Sequence, residues 1–157
     1  MKNNQVKIPL LLWMRLLRQL RKRGGGHRES GAFLLGKTGS RKVSRFLCYD
    51  DLDPAALESG IVTVHAIGFV RLWEICQKQN LRVLADVHTH PSSWIDQSES
   101  DRTHPMVAQR GHLAMILPNY AKPNRKTLGG AAVYEYLGDH QWKFWPTKSG
   151  PIKTTLL

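Results

Sequence analysis

Two histidines, a serine and an aspartate lie within fourteen residues near the middle of the chain. His88 and His90 are two positions apart, and Ser98 and Asp101 follow them. Imidazole nitrogen and carboxylate oxygen are ligands that Zn²⁺ prefers, and three protein ligands leave a fourth position open for water, as in catalytic zinc sites. The residue types and their spacing therefore predict a catalytic zinc site with His88, His90 and Asp101 as ligands.

A strand is expected to carry the two histidines. Residues 81–87 are mostly apolar and predict a buried strand that ends at the histidines. Side chains two positions apart in a strand point to the same side, so His88 and His90 are predicted to face one site together. Pro91 ends the strand, because proline has no N–H to donate to a ladder.

A helical turn is expected to carry the other half of the pattern. Ser98 and Asp101 are three positions apart, which places them on one face of a helix. We expect this helix to run toward Gln109. The hydroxyl of Ser98 would then lie beside the carboxylate of Asp101.

The pattern His-x-His-Pro-x6-Ser-x2-Asp, at residues 88–101, resembles the signature of the JAB/MPN metallopeptidases, also called JAMM proteases, and in particular their prokaryotic branch. The resemblance spans roughly Leu16 to Trp145. The family also has a glutamate at the start of an upstream strand, and residues 29–36 look like that element, with Glu29 as the match. The resemblance implies one Zn²⁺ per chain and a catalytic role for Glu29.

The chemistry of such a site assigns a role to each residue. Glu29, beyond the metal ligands, would accept a proton from the attacking water as the general base. Ser98 would donate a hydrogen bond to the oxyanion of the tetrahedral intermediate. Trp94 and Ile95, between the two halves of the pattern, are predicted to line a groove for the substrate. Amide hydrolysis without a covalent acyl-enzyme is the reaction expected.

Other polar residues near the pattern have weaker claims to a role. Asp86 shares a strand face with the two histidines, so it either orients one of their rings or is paired elsewhere. His104 and His112 are not expected to be ligands. The remaining histidines are interpreted as structural: His27, His65 and His140.

Length and periodicity predict a single α/β domain over residues 1–157. Apolar residues at helical spacing predict an amphipathic helix within residues 1–25, which ends at three glycines. A second helix is expected over 65–79 and a loop over 50–54. Strands are expected near 31–36, 41–49, 61–64, 112–117, 130–136 and 141–145, and a loosely ordered tail over 146–157. The resemblance implies a curved mixed sheet flanked by helices, similar to cytidine deaminases.

Composition limits the location and the partners of the protein. Cys48 and Cys76 are far apart and form no Cys-x-x-Cys motif, which is typical of a reduced cytoplasmic protein. The apolar run at residues 8–14 is too short to span a membrane. A zinc deaminase is excluded, because it would need His-x-Glu followed by Pro-Cys-x-x-Cys.

The resemblance also implies a substrate. It predicts a peptidase or isopeptidase that cuts after the C-terminal glycine of a ubiquitin-like protein, in deconjugation or in precursor maturation, and the setting would include antiviral defence operons. Its partners would be the ubiquitin-like protein or its conjugate, and conjugating enzymes of the same operon.

Two other functions remain open. One is the processing of a sulfur-carrier protein. The other is association with nucleic acid, which the net charge of +11 raises and which we favour less. The basic residues fall into two clusters, Arg15, Arg18, Arg21, Lys22, Arg23 and Arg28, and then Lys37, Arg41, Lys42 and Arg45.

Overall fold

A computed structural model describes residues 4–122, 128 and 130–157 of the protein. The elements, in chain order, are β1 (Val6–Pro9), α1 (Leu10–Gly24), β2 (Gly31–Lys37), β3 (Arg45–Cys48), α2 (Tyr49–Leu52), α3 (Ala66–Gln79), β4 (Leu81–Thr89), α4 (Glu99–Thr103), β5 (Leu113–Leu117), β6 (Ala132–Gly138), β7 (Gln141–Trp145) and β8 (Ile152–Thr155). A 3-10 turn at Asn119–Ala121 follows β5.

A six-stranded mixed sheet forms the centre of the fold, in the order β3-β2-β4-β5-β6-β7. The neighbours β4 and β5 are parallel, and the other pairs are antiparallel. Helices flank this sheet, which confirms the predicted fold class. Because β4 lies inside the sheet, its C-terminal end is held by hydrogen bonds from both sides, and this is the end that carries the histidines.

A β-bulge interrupts the pairing of β4 with β2. Leu34 is opposite Ala85, but the next residue of β2, Leu35, is opposite Val83, so Leu84 is the extra residue of β4. Such a bulge changes which side chains face which side of a sheet. Before the bulge Val83 packs on the α3 side, and beyond it Val87 packs on the α1 side.

The helix α1 confirms the amphipathic pattern predicted near the N-terminus. Its apolar face buries Trp13, Leu16, Leu17 and Leu20. The helix ends where Gly25 adopts a left-handed conformation, with φ of 58°, and its N–H donates to the carbonyl of Arg21. The helix begins only at Leu10, because the four residues before it form β1.

The sheet separates two apolar cores. One lies between the sheet and α1, and it contains Cys48 and Met115. The other lies under α2 and α3, and it contains Phe33, Leu72 and Cys76. Both cysteines are free and buried, as the sequence predicted, and the sheet lies between them.

The C-terminal segment is ordered, so the expectation of a loose tail was wrong. Residues Ile152–Thr155 form β8, which pairs in parallel with β1 in a separate two-stranded sheet. The side chains of Val6, Ile8 and Ile152 are buried there. Two short strands from opposite ends of the chain stabilise each other, and neither carries a strong signal alone.

Three other expectations need correction. The helix after Ser98 ends at Thr103 instead of running toward Gln109, because Pro105 disfavours a helical conformation in the residue before it. Residues 61–64 form no strand, and the predicted strand over 41–49 is limited to Arg45–Cys48. The predicted loop over 50–54 begins with a helical turn, α2. The predicted strands near 31–36, 112–117, 130–136 and 141–145 are present.

The helices are too short for a bilayer. Among the described residues, no helix has both the length and the apolar composition needed to cross a membrane.

Candidate metal centre

His88, His90 and Asp101 converge at the C-terminal end of β4. The Nε2 atoms of the two histidines are 3.1 Å apart. The Asp101 carboxylate reaches both rings, with Oδ1 at 3.3 Å from His88 Nε2 and Oδ2 at 3.2 Å from His90 Nε2. Both histidines are buried. The three predicted ligand residues therefore form one compact group that could bind a metal ion.

The orientation of the His90 ring is fixed by the loop that follows β4. His90 Nδ1 lies 3.0 Å from the carbonyl oxygen of Trp94. A carbonyl only accepts, so Nδ1 carries the proton, and in the neutral ring Nε2 keeps its lone pair for a metal. The indole of Trp94 also stacks on the His90 ring, with centroids 5.3 Å apart. Trp94 thus positions a predicted ligand, which its place in the sequence did not indicate.

Asp101 is held by a capping box at the start of α4. Ser98 is the N-cap, and its Oγ accepts from the Asp101 N–H at 3.0 Å, while Asp101 Oδ2 accepts from the Ser98 N–H at 2.9 Å. Burial would raise the pKa of the Asp101 carboxyl, but its contacts with His88 and His90 outweigh that effect and lower the pKa well below its usual range. Asp101 is therefore ionised, as a carboxylate that binds a metal ion must be.

The indole N–H of Trp142, on β7, donates to the carbonyl of Arg102 at 3.0 Å. This bond ties α4 to the sheet near the C-terminal end of the helix, while the capping box holds its N-terminal end.

Glu29 lies just before β2, in the position predicted for it. Its N–H donates to the Gly60 carbonyl, and its Oε2 accepts from the Val62 N–H at 3.3 Å. Burial raises the pKa of Glu29, and the nearby His88 ring partly opposes the rise. Val62, which was expected in a strand over 61–64, instead holds the carboxylate of Glu29 in place.

Gly31, two residues after Glu29, allows this close packing. A Cβ there would come within 2.7 Å of the Val87 carbonyl oxygen and would also meet the Tyr49 ring. Only glycine lets β2 begin so close to β4, which brings Glu29 to the histidine end of β4.

A cavity of about 370 Å³ opens beside the group, and His88 and Asp101 are among its lining residues. The rest of its wall is largely apolar and comes from separate parts of the chain: Val62, Val64, Phe69, Met106, Ile116 and Trp142. Sequence reasoning missed these residues, because their proximity depends on the complete fold. A larger cavity, of about 900 Å³, lies at the other end of β4 and is lined by none of the residues predicted for the site.

Asp86 is paired elsewhere, the second of the two interpretations left open for it. Its Oδ2 lies 2.6 Å from His112 Nε2, and both side chains are buried. The pair joins β4 to the residue that precedes β5, next to the two histidine ligands. His112 therefore has a partner outside the metal group.

The other predicted residues have defined places. Ile95 packs on Ile116 and Tyr134, whereas Trp94 is 51% exposed. The assignment of this pair to a substrate groove stays a prediction, and Trp94 is its exposed member. His104 is exposed; it lines the cavity but is not part of the metal group.

Comparison with known proteins supports the fold. No protein-family model matches the sequence. A protein of Desulfitobacterium hafniense, known from its solution structure, is similar with a TM-score of 0.63 and 14% identity, over 95% of this chain and 92% of that one. A JAB1/MPN domain protein of Archaeoglobus fulgidus, known from its crystal structure, is similar with a TM-score of 0.52 and 15% identity, over 96% and 98% of the two chains.

The chain therefore has the JAB/MPN fold. At such low identity the likeness concerns the fold alone. The chemistry of the site depends on this chain's own residues.

Proposed function

We propose that the protein is a zinc-dependent peptidase or isopeptidase of the JAMM type. The observation that carries the proposal is the convergence of His88, His90 and Asp101 at the end of a central strand, on the side of Glu29. Two imidazoles and one carboxylate suit Zn²⁺, and three ligands leave a coordination position open. A bound Zn²⁺ would lower the pKa of a water molecule to about 7.

Glu29 is the proton carrier in this proposal. Its carboxylate is partly buried, held by the Val62 N–H, and its pKa is raised, which suits a group that takes a proton and gives it back. It would accept the proton of the attacking water and return it to the leaving amine. Ser98 would donate a hydrogen bond from its hydroxyl to the oxyanion, since its Oγ acts as an acceptor in the cap and its O–H is left for another partner.

The proposed substrate is the C-terminal glycine of a ubiquitin-like protein, joined to a target or to a precursor extension. The resemblance of residues 88–101 to the JAMM pattern supports this choice, and the largely apolar cavity beside Asp101 offers space for substrate residues next to the metal group. The setting would be a conjugation operon, including those of antiviral defence, in the cytoplasm. Processing of a sulfur-carrier protein is the alternative, and matched cleavage assays on the two kinds of substrate distinguish them.

The first prediction separates metal binding from proton transfer. The purified protein should bind about one Zn²⁺ per chain, and His88→Ala/His90→Ala should abolish the binding. Glu29→Gln keeps the shape of the side chain and should keep the metal, while kcat falls by about 10²–10⁴-fold because the proton acceptor is lost. Elemental analysis and cleavage of a C-terminally extended ubiquitin-like protein measure the two effects.

His104→Ala is the matched control, because His104 lines the same cavity outside the metal group. It should keep the zinc. Full zinc content in the double variant would overturn the ligand assignment, and wild-type turnover in Glu29→Gln would overturn the role of Glu29.

A further inference from the structure

A basic groove of about 500 Å³ runs between α1 and β3. The two clusters of basic residues are separate in the sequence, but they meet in this groove: Arg15, Arg18 and Arg23 come from the first cluster, and Arg45 comes from the second. Leu12 and Phe46 add apolar surface between the guanidinium groups. The proposed catalysis uses none of these residues.

The groove follows the edge of the sheet. β3 is the terminal strand of the six-stranded sheet, and on its outer side no other strand of the described chain is paired with it. Ser44, Arg45 and Phe46 all line the groove. Consecutive side chains of an extended chain point in opposite directions, so a groove that touches all three runs along the main chain itself. An open strand edge offers N–H and C=O groups to another extended chain.

Two arginines of the groove already have side-chain partners, because Arg23 pairs with carboxylates and Arg45 Nη1 donates to Gln79 Oε1 at 2.6 Å. Arg23 forms ion pairs with Asp50 at 3.1 Å and with Asp51 at 2.8 Å. Within residues 4–122, 128 and 130–157, no other guanidinium group has a carboxylate partner. Arg15 and Arg18 are exposed, one helical turn apart, on the wall that faces the strand edge. The ion pairs of Arg23 with two carboxylates show the kind of group that Arg15 and Arg18 would bind.

We propose that this groove binds an extended acidic polypeptide segment, which adds alongside β3 and places an apolar side chain on Leu12 and Phe46. Carboxylates of the segment would pair with Arg15 and Arg18, because guanidinium groups match carboxylates in a bidentate geometry. Its main chain would bond to the open edge of β3. A nucleic acid could neutralise the same arginines, but it has no peptide groups to pair with a strand edge.

The groove shares no residue with the metal group, but one of its ends lies toward that group. Its Arg23 end lies next to the segment before Glu29, where Arg28 Nε donates to the Arg23 carbonyl at 3.1 Å. A partner held in the groove would therefore extend toward the end of the sheet that carries the histidines. The proposal does not rest on the proposed peptidase activity.

The test is the binding of a fluorescein-labelled peptide of glutamates with one central leucine, followed by fluorescence anisotropy at about 0.1 M salt, where the Debye length is about 10 Å. Arg15→Glu/Arg18→Glu should weaken this binding by about tenfold or more, because like charges would then face each other across the groove. The matched control is Lys143→Glu/Lys148→Glu, which changes the net charge equally but lies on and beyond β7, the opposite edge of the sheet. The control should change the affinity by less than about twofold, because exposed charges beyond a Debye length are screened.

Two more probes test the strand addition and the rival ligand. The same peptide with methylated backbone nitrogens cannot donate to a strand edge and should bind less tightly. His88→Ala/His90→Ala should bind the unmethylated peptide as the unmodified protein does, which keeps this result separate from the zinc chemistry. The proposal would be overturned if the groove and control variants lost affinity equally, or if the methylated peptide bound as tightly as the unmethylated one. It would also be overturned if oligothymidylate bound more tightly than the peptide and the groove variant abolished that binding.

Discussion

Ser98 and Asp101 show how one local motif serves both folding and the candidate site. The capping box gives the backbone N–H groups of Ser98 and Asp101 a side-chain partner each. It also fixes the carboxylate that contacts the two histidines. A change at Ser98 therefore acts on the stability of α4 as well as on any hydroxyl chemistry. The spacing of the two residues in the sequence indicated their proximity, but not that Ser98 is the N-cap.

Substitutions at Ser98 can separate these two roles. Ser98→Ala should lower the free energy of unfolding by about 0.5–2 kcal/mol, whereas Ser98→Gly should lower it by only a few tenths, since glycine is a tolerated N-cap. If the hydroxyl stabilises the oxyanion, both variants should lose kcat by about 10²–10³-fold. Chemical denaturation and cleavage kinetics measure the two quantities. Ser93→Ala, at an exposed serine of the preceding loop, is the control, and wild-type turnover in Ser98→Gly would refute the catalytic role.

At the scale of elements, the parts of the site that are local in sequence were the predictable ones. His88 and His90 share a strand end, so period-two geometry places them together. The cavity wall was not predictable, because Val62, Phe69 and Trp142 come from distant segments whose approach depends on the whole sheet. The pairing of β1 with β8 was missed for the same reason, since each strand has only four residues and its partner lies at the other end of the chain.

The pairing of β1 with β8 leads to a test of stability. Ile152 is 1% exposed in β8 and packs in the core between the sheet and α1, so Ile152→Ala should lower the free energy of unfolding by about 2–5 kcal/mol. Leu157→Ala removes an equally large side chain that is 91% exposed, and it should have little effect. Urea denaturation of both variants provides the comparison, and equal stabilities would show that the C-terminal strand contributes nothing to the fold.

At the scale of the molecule, the sheet divides the interior into two compartments, with one cysteine in each. Burial raises the pKa of the Cys48 thiol to about 12, and it also raises the pKa of Cys76. Both thiols are therefore kept protonated and out of reach of each other. The sequence indicated buried, reduced cysteines, but only the topology explains why they cannot form a disulfide.

Thiol reactivity tests this arrangement. At pH 8 the thiolate fraction of Cys48 should be on the order of 10⁻⁴, so a thiol reagent should label Cys48 very slowly in the native protein. After unfolding, both cysteines should react at once. Mass spectrometry after mild oxidation should show no intramolecular disulfide. Rapid labelling of Cys48 in the folded protein would contradict its burial. A Cys48–Cys76 disulfide would contradict the separation of the two cores.

The bulge at Leu84 determines which side of the sheet each residue of β4 faces. Before it, the odd-numbered Leu81 and Val83 face α3; beyond it, the even-numbered Asp86 and His88 line the cavity on that side. An uninterrupted β4 would turn both imidazoles toward α1, into the apolar core and away from the cavity. One unpaired residue therefore places Asp86 and His88 on the side of the sheet where the cavity lies. Deleting Leu84 would leave a regular strand in which Val83 and His88 keep the sides they face now, so the motif needs the bulge only because Leu84 is present.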